Sequence, residues 1–355
     1  MAKEHIGIMG GTLDPIHEGH IRMARAAAKT VRLDRIIMLP TGNPPHKTNI
    51  SPAEDRWRML CAATAKEPML EPSRMEMDRE GVIYTVDTLR EIQQQNPKAE
   101  LYYMIGSDTL LDLKNWRNYE QVLTMCRFLV CPRPWDASPE EITEERKRLT
   151  AMGGKFISVD MEPVDVASSE LRKALCEDKP APHLPVVCAT YARLAGLYGI
   201  APHLDRAEEW LGKLFADLTV KRFAHTLAVT HTARQLAMLH GVDVKKAEVA
   251  AVLHDCAKCM PLKEMQAICR EHSLTDDPAV LESGALMHSL VGAYLASEKY
   301  GVEDPDILHA IANHTTGCAE MTRLDMVVYL ADKIEPTRDP YPTLDRVRML
   351  AQLSL

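Results

Sequence analysis

Short apolar runs alternate with amphipathic segments through the first half of the chain. The apolar runs, each short enough for a buried strand, are Ile6–Met9, Arg35–Pro40, Leu101–Ile105, Arg127–Cys131 and Lys155–Val159. Between them, segments such as Val86–Gln95 and Glu140–Met152 repeat their apolar positions at helical spacing. Strands that alternate with helices form a parallel sheet covered on both faces. The pattern therefore predicts an α/β domain whose ligands bind at the carboxyl ends of the strands.

The strand pattern disappears from about Tyr191 onward, and helical spacing takes over. The predicted helical segments are Leu211–Phe215, Ala224–Met238, Lys245–Val252, Leu262–Cys269, His288–Lys299, Ile307–Ala312 and Leu324–Ile334. This indicates an all-α second domain. Glycine, proline and histidine cluster between Gly199 and Ala207, so we expect domains at 1–200 and 201–355.

The composition narrows the class of protein. A chain of 355 residues suits two domains, and 46% hydrophobic residues suit globular ones. A net charge of −8 argues against a nucleic-acid partner, which usually meets a basic face. We find neither a signal peptide nor an apolar run of the roughly 18 residues that a membrane span needs. With nine scattered cysteines as well, we expect a cytoplasmic protein without a disulfide framework.

The first candidate site follows the first predicted strand. Gly10 and Gly11 permit a sharp turn and close approach of a phosphate to the backbone. The next helix would present free N–H groups and its positive end to that phosphate. His17 and His20, three residues apart, would share one face of this helix. Taken alone, the same pattern also fits a tight turn with two surface histidines.

The second candidate site is a scattered set of metal-ligating residues in the helical half. Its members are His225, His254, Asp255, His288, His314 and Asp332. Imidazoles and carboxylates suit Fe, Mn, Zn, Co or Ni better than Ca. Six ligands are too many for one ion with an open position but fit two ions bridged by Asp255. Any one of these histidines could instead be a hydrogen-bonded core residue. We read the remaining histidines of this half as surface or packing residues: His203, His231, His240, His272 and His309.

Longer strings in the first half carry a family resemblance. Gly10–His20 resembles the signature of the nucleotidylyltransferases, with Leu13 where that family usually has Phe. Further strings resemble motifs of the bacterial nicotinate mononucleotide adenylyltransferases, and these are Pro44–Lys47, Tyr84–Leu89, Ile105–Asp108, Trp116 and Ser168–Arg172. The resemblance spans about residues 4–199. It implies a Rossmann-like nucleotidylyltransferase fold and attack of a mononucleotide phosphate on the α-phosphorus of ATP, with Mg²⁺ accompanying the ATP.

The same resemblance implies roles for individual residues. Gly10, Gly11 and Thr12 would approach the ATP phosphates, which His17 and His20 would contact. Lys47 and Arg172 would supply fixed cations, and Ser168 and Ser169 would help hold phosphate at a helix start. Asp108 would hold a ribose or base group. Tyr84, Thr85 and Trp116 would recognise the nicotinate ring, although Trp116 could be a core residue only.

The helical half resembles the HD-domain phosphohydrolases. Four strings, Arg222–His225, Leu253–Lys258, Asn313–Gly317 and Ala331–Arg338, resemble the YqeK-type family over about residues 207–340. Members of that family cleave diadenosine tetraphosphate to two ADP. The resemblance favours iron as the metal, while the ligand types fit manganese equally. It implies that Asp255 and Lys258 act in catalysis and that Arg222, Lys258 and Arg338 meet phosphate, or else are solvated surface charges.

The sequence thus predicts a bifunctional enzyme acting on ATP, nicotinate mononucleotide and diadenosine tetraphosphate, with no nucleic-acid or membrane partner and with homo-oligomerisation left open. Two alternatives remain for the helical half. It could be a nucleotide-sensing regulatory domain, or a phosphohydrolase acting on a different nucleotide. A third expectation concerns the fusion: the hydrolase would destroy diadenosine tetraphosphate formed when a second ATP replaces the mononucleotide. The genes could equally have joined without such a link.

Overall fold

The computed structural model describes residues 3–42, 50–133 and 138–355. The chain divides into two compact units, Met1–Pro185 and Val186–Leu355. This division lies earlier than the boundary we expected at residue 200. The difference is α8 (Val186–Leu194), which packs against the helices of the second unit. Its Tyr191 lies edge-on to Phe223 with ring centroids 6.3 Å apart, and its Arg193 pairs with the buried Glu248.

The first unit is built on a six-stranded parallel sheet in the order β3-β2-β1-β4-β5-β6. The strands are β1 (His5–Gly11), β2 (Arg35–Pro40), β3 (Leu70–Pro72), β4 (Glu100–Gly106), β5 (Arg127–Cys131) and β6 (Lys155–Ser158). The chain moves outward from β1 in one direction and from β4 in the other. Ligands of such sheets bind in the crevice where the strand order reverses, which here is the end of β1 and β4.

Helices cover both faces of this sheet, as the alternating pattern predicted. They are α1 (Glu18–Val31), α2 (Ala53–Thr64), α3 (Thr85–Gln95), α4 (Ser107–Asp112), α5 (Tyr119–Met125), α6 (Pro139–Ala151) and α7 (Ser168–Cys176). The apolar side of α1, which includes Ile21 and Ala24, is buried. Packing of α1 fixes its N-terminus close to the end of β1.

The regular secondary structure described in the second unit is entirely helical, again as predicted. After α8 come α9 (Ala207–Asp217), α10 (Val220–His240), α11 (Val244–Leu253), α12 (Leu262–Glu271), α13 (Pro278–Leu281), α14 (Gly284–Glu298), α15 (Pro305–Asn313), α16 (Arg323–Ile334) and α17 (Leu344–Leu353). The central helix is α10, which packs against α8, α9, α11, α16 and α17. None of the described helices combines the length and apolarity needed to cross a bilayer. The structure confirms the predicted fold class of an α/β domain followed by an all-α domain.

Candidate active sites

A cavity of about 500 Å³ opens in the first unit where β1 and β4 end. Most of the residues predicted from the sequence line it: Gly10, Gly11, Thr12, His17, His20, Asp108, Trp116, Ser168, Ser169 and Arg172. A Cβ atom on Gly10 would lie 2.6 Å from the Tyr103 hydroxyl, so a larger residue would have to displace a buried ring. Glycine is therefore required for the tight passage of the chain into this cavity.

The rings of His17 and His20 lie close together, tilted by 34° to each other, at the start of α1. Their ring centroids are 3.8 Å apart, and His17 is the residue that precedes the helix. The backbone N–H of His17 donates to Nδ1 of His20 over 3.3 Å. In a neutral His20 ring the proton must then be on Nε2, which makes that nitrogen a hydrogen-bond donor.

The surroundings of His17 favour its neutral form. Burial, followed by the charges of Arg133 and His183, lowers the pKa of His17 to about 4. Its Nδ1 atom is buried without a hydrogen-bond partner among the described residues.

Helix α7 closes the other side of the cavity with its positive end. Ser168 donates its hydroxyl to the carbonyl of Pro15 over 3.2 Å, and Arg172 donates to the carbonyl of Asp14 over 2.7 Å. These bonds tie the first turn of α7 to the loop that follows β1. The free N–H groups of that turn and the guanidinium of Arg172 therefore face the same space as His17 and His20.

Arg133 is a cavity residue that the sequence analysis missed. It follows the end of β5, and its charge contributes to the low pKa of His17. A Cβ atom on Gly106 would lie 2.9 Å from its Nε atom and would collide with the carboxylate of Asp108. The available signal was the position of a cation just beyond a predicted strand.

Two predicted residues of the first site do not line this cavity. Tyr84 is the residue before α3, and the guanidinium of Arg117 lies 4.4 Å from its ring centroid. Neither Tyr84 nor Thr85 lines the cavity. Lys47 lies outside the described residues. Trp116 lines the cavity, and it also packs edge-on against Tyr103 in the core, with ring centroids 5.7 Å apart.

The second unit brings all six predicted metal ligands together and buries them. His225 lies in α10, His288 in α14 and Asp332 in α16. His254 and Asp255 directly follow α11, and His314 directly follows α15. Residues scattered over five helices therefore converge in the core of this unit.

Asp255 stands between two sets of imidazoles. Its Oδ2 atom lies 3.4 Å from Nε2 of His254 and 3.8 Å from Nε2 of His225. Its Oδ1 atom lies 3.2 Å from Nε2 of His288 and 3.7 Å from Nε2 of His314. Asp332 completes the first set, with Oδ1 3.0 Å from Nε2 of His225. A carboxylate with one oxygen facing each set is arranged as a bridging ligand would be.

The donor atoms are better arranged to coordinate metal ions than to form hydrogen bonds with one another. Nε2 of His254 is buried without a hydrogen-bond partner among the described residues. Nε2 of His288 lies 3.1 Å from Nε2 of His314, so two similar nitrogens face each other. Two groups of three, His225–His254–Asp332 and His254–Asp255–His314, have one ligand atom from each residue within 4.8 Å of the others. The residues present therefore fit a nitrogen- and oxygen-ligated metal centre.

The opposite nitrogens of three imidazoles are fixed by outward hydrogen bonds. Nδ1 of His254 lies 2.7 Å from the carbonyl of Ala251, and Nδ1 of His314 lies 2.7 Å from the carbonyl of Ile311. Nδ1 of His225 lies 3.2 Å from Oε1 of the buried Glu335. Each bond keeps the proton on Nδ1 and turns the Nε2 lone pair toward the centre, which is the usual arrangement around metal-binding histidines.

The protonation states of Asp255 and His314 also suit metal binding. Burial would raise the pKa of Asp255, but the neighbouring His254, His288 and His314 hold it well below its usual range. Burial lowers the pKa of His314 to about 4. An ionised carboxylate and a neutral imidazole are the forms that bind a metal.

Cations surround this centre. Arg222 donates to Oδ2 of Asp255 over 2.7 Å, and Arg338 donates to Oδ1 of Asp332 over 2.9 Å. Nζ of Lys258 lies 3.1 Å from Nε2 of His288, and burial is the main reason its pKa is lowered. The three predicted cations are therefore at the site and not dispersed over the surface.

Lys333 and Glu335 are residues of this site that the sequence analysis missed. Lys333 donates to Oδ2 of Asp332 over 2.7 Å. Glu335 follows Asp332 by three residues, a spacing that places both near the same end of α16. Both residues lie in the string Ala331–Arg338 that carries the family resemblance, and the spacing was a further signal for Glu335.

Comparisons with known proteins also divide the chain into two parts, one in each of its compact units. Residues 8–174 match the cytidylyltransferase-like family and residues 222–337 match the HD domain. A protein of Mycoplasma genitalium named nicotinate-nucleotide adenylyltransferase/Ap4A hydrolase is 32% identical over 342 residues, covering 95% of this chain and 89% of the relative. A nicotinate-nucleotide adenylyltransferase of Moorella thermoacetica is 37% identical over 209 residues, covering 58% of this chain and 95% of the relative.

A solved structure is similar to the helical half. It is described as an HD superfamily hydrolase involved in NAD metabolism from Clostridium acetobutylicum, with 35% identity, a TM-score of 0.40, and coverage of 41% of this chain and 76% of that one. The two-domain relative matches both halves in one alignment. The chain therefore belongs to the nicotinate-nucleotide adenylyltransferase/Ap4A hydrolase family, with a cytidylyltransferase-like first unit and an HD-domain second unit.

Proposed function

We propose that the first unit transfers AMP from ATP to nicotinate mononucleotide, giving deamido-NAD and pyrophosphate. The observation that carries this is the cavity at the end of β1 and β4, where two helix N-termini, two histidines and two arginines meet. The reaction needs little covalent work from the protein, so orientation and neutralisation of charge dominate. A site that supplies donors and cations to one space meets that need.

The residues divide this work. Gly10, Gly11 and Thr12 offer backbone contacts to the triphosphate, and Nε2 of His20 donates to a phosphate oxygen that gains charge as pyrophosphate leaves. Arg172 and Arg133 supply fixed positive charge beside the N-terminus of α7. Mg²⁺ would accompany the ATP, and Lys47 would add a further cation.

The remaining residues would recognise the two nucleosides. Trp116 offers a ring for stacking on nicotinate, and Ser168 and Ser169 offer donors to phosphate. Asp108 accepts from a ribose or base. Tyr84 and Thr85 do not line the cavity. They stand at the start of α3, and we assign them only an indirect role in nicotinate recognition, through the position of that helix.

The test is to supply ATP and Mg²⁺ with equal amounts of nicotinate and nicotinamide mononucleotide. We expect deamido-NAD and pyrophosphate in equal yield, with little NAD. A preference for nicotinamide mononucleotide would replace the proposed acceptor, and failure to use either would remove the proposed reaction.

We also propose that the second unit hydrolyses diadenosine tetraphosphate symmetrically to two ADP at a dinuclear centre. The observation that carries this is the position of Asp255, with one carboxylate oxygen toward each set of imidazoles. The bound ions, for which we favour iron, would supply an acidified water molecule and polarise the phosphate. Arg222, Arg338 and Lys258 lie where the negative charge of a polyphosphate would arrive.

Two other roles of the second unit are distinguished by the same experiment. Metal analysis should find two ions per chain, and product analysis should find ADP alone rather than ATP with AMP. Two bound ions with no turnover of diadenosine tetraphosphate but turnover of another nucleotide would indicate a different substrate. Nucleotide binding that alters adenylyl transfer without any hydrolysis would indicate a sensor.

The fusion suggests a link between the two reactions. When a second ATP takes the place of the mononucleotide, the same displacement produces diadenosine tetraphosphate, which the tethered second unit would remove at high local concentration. An Asp255→Ala chain given ATP without mononucleotide should then accumulate diadenosine tetraphosphate. If none forms over many turnovers, the two activities share only a chain.

A further inference from the structure

A second cluster of metal-ligating residues lies in the helical unit apart from the six-residue centre. His309 lies in α15, Cys318 in the connection that follows, and Asp325 in the first turn of α16. A ring nitrogen of His309, Sγ of Cys318 and a carboxylate oxygen of Asp325 lie within 4.8 Å of one another. None of the three served as a ligand in the site described above.

Asp325 is held firmly in place. Its side chain is fully buried, and Oδ2 accepts from the backbone N–H of Thr322 over 2.7 Å. Thr322 in turn accepts from the backbone N–H of Asp325, which completes a capping box at the start of α16. The carboxylate therefore has a fixed position, with its oxygens 3.0 Å from Nδ1 of His309.

The other two ligands open the cluster to solvent. The side chain of His309 is 46% exposed, and Cys318 is an exposed free thiol. Gly317 has a φ of 69°, and its N–H bonds to the carbonyl of Asn313 over 2.8 Å, which turns the chain sharply after α15. This turn brings Cys318 back toward α15 and α16. An ion could therefore enter from the surface and meet a preformed carboxylate.

A capping box and an ion pair with His309 would account for Asp325 without any metal. They do not account for a thiol beside both groups. Thiolate, imidazole and carboxylate together are the donors of zinc and its chemical neighbours, while Mg²⁺ and Ca²⁺ prefer oxygen alone. Three protein ligands leave one position for water.

We propose that His309, Cys318 and Asp325 bind one borderline divalent cation of the zinc class. The ion would join both ends of the loop that runs from His314 to Thr322. This loop also carries Thr315, whose hydroxyl lies 3.2 Å from Nε2 of His288 and of His314. Occupancy of the site would thus hold in place a loop that contributes to the hydrolytic centre.

The test uses Co²⁺ as a spectroscopic probe on the full chain. A cobalt–thiolate bond gives an intense charge-transfer absorption in the near ultraviolet. The six-residue centre has only nitrogen and oxygen ligands, so it cannot produce this absorption when it also takes up cobalt. We expect the band in the wild type, its complete loss in Cys318→Ser, and at least tenfold weaker cobalt affinity in His309→Ala.

Cys259→Ser is the matched control, because Cys259 is the other exposed thiol of this unit. It should retain the band and bind the same number of Zn²⁺ ions per chain in equilibrium dialysis, whereas Cys318→Ser should bind one fewer. Both thiols are exposed, so neither variant should change the thermal midpoint of unfolding appreciably. Absence of the band in the wild type, its survival in Cys318→Ser, or its loss in Cys259→Ser would each overturn the proposal.

Discussion

The two active sites differ in how their residues are arranged around the charge that they would bind. The first is an open cavity walled by backbone groups, helix ends and arginines, and it awaits a ligand that brings negative charge. The second is a compact core of buried imidazoles and carboxylates already paired with one another and with Arg222. A nucleotide site can therefore be built around empty space, whereas a metal site has to be folded around its own ligands.

The largest expected effect is that of Asp255→Asn. The change keeps the shape but removes the charge that faces four imidazoles and Arg222. Hydrolysis of diadenosine tetraphosphate should fall by about 10³-fold or more, with loss of bound metal. ADP release and metal content are the measurements, and adenylyl transfer by the same chain is the control. Full activity with two ions bound would show that Asp255 does not bridge them.

The complementary change in the open site is His20→Ala. Removal of one donor that stabilises developing charge should lower the turnover of adenylyl transfer by about 10²- to 10³-fold. Because His20 is only partly buried beside a cavity, stability should change little. Pyrophosphate release measures the effect, and hydrolysis by the second unit serves as the internal control. Near-normal turnover would contradict the role given to this ring.

A smaller effect should follow Glu335→Gln. The amide still reaches Nδ1 of His225 but no longer brings a charge that favours the metal-binding tautomer. We expect metal affinity to weaken by about 10- to 100-fold, with hydrolysis restored by excess metal. Competition with a chelator measures the affinity. If affinity is unchanged while hydrolysis falls, Glu335 acts on the substrate and does not position His225.

The prediction with the smallest effect on either activity concerns the stability contributed by a histidine of the metal-binding unit that lies outside its centre. Burial, and then Arg193 and Arg234, lower the pKa of His231 to about 4 from 6.5. As the pH falls below 6.5, the unfolded chain therefore protonates this histidine, whereas the folded chain does not until about pH 4. The free energy of unfolding that this difference contributes is fully present above pH 6.5. It decreases by up to about 3 kcal/mol as the pH falls toward 4. Chemical unfolding of His231→Asn should show a shallower acid dependence than the wild type, and identical slopes would reject the assignment.

The comparison also explains what the sequence could predict. The residues from Gly10 to His20 are contiguous, so spacing alone predicted that they lie together around the start of one helix. The metal ligands are far apart along the chain, and only their residue types and the family resemblance pointed to one site. The structure brings all six together because the apolar faces of α10, α11, α14, α15 and α16 pack on one another.

Other features depended on packing that spacing does not encode. Strand β3 has three residues with only Leu70 buried, too few for a period to be detected. Helix α8 lies in a strand-poor stretch near the first domain but packs on α10. Arg133 follows β5 and Lys333 lies near the end of α16, and both belong to a site because of where those elements end in the fold. Sequence pattern thus predicted the elements and the local motif, while the partners of each element required the fold.

The positions of the site residues along the chain also determine the order in which the two sites can form during synthesis. The described wall of the nucleotide cavity is complete once Arg172 has been synthesised, and the first unit ends at Pro185. The metal centre lacks a ligand until Asp332 has left the ribosome. Because domains fold as units during synthesis, we expect the first unit to acquire its shape while the second is still a growing, metal-free chain. Each new molecule would then pass through a period in which it can bind nucleotide but cannot yet hold its metal ions.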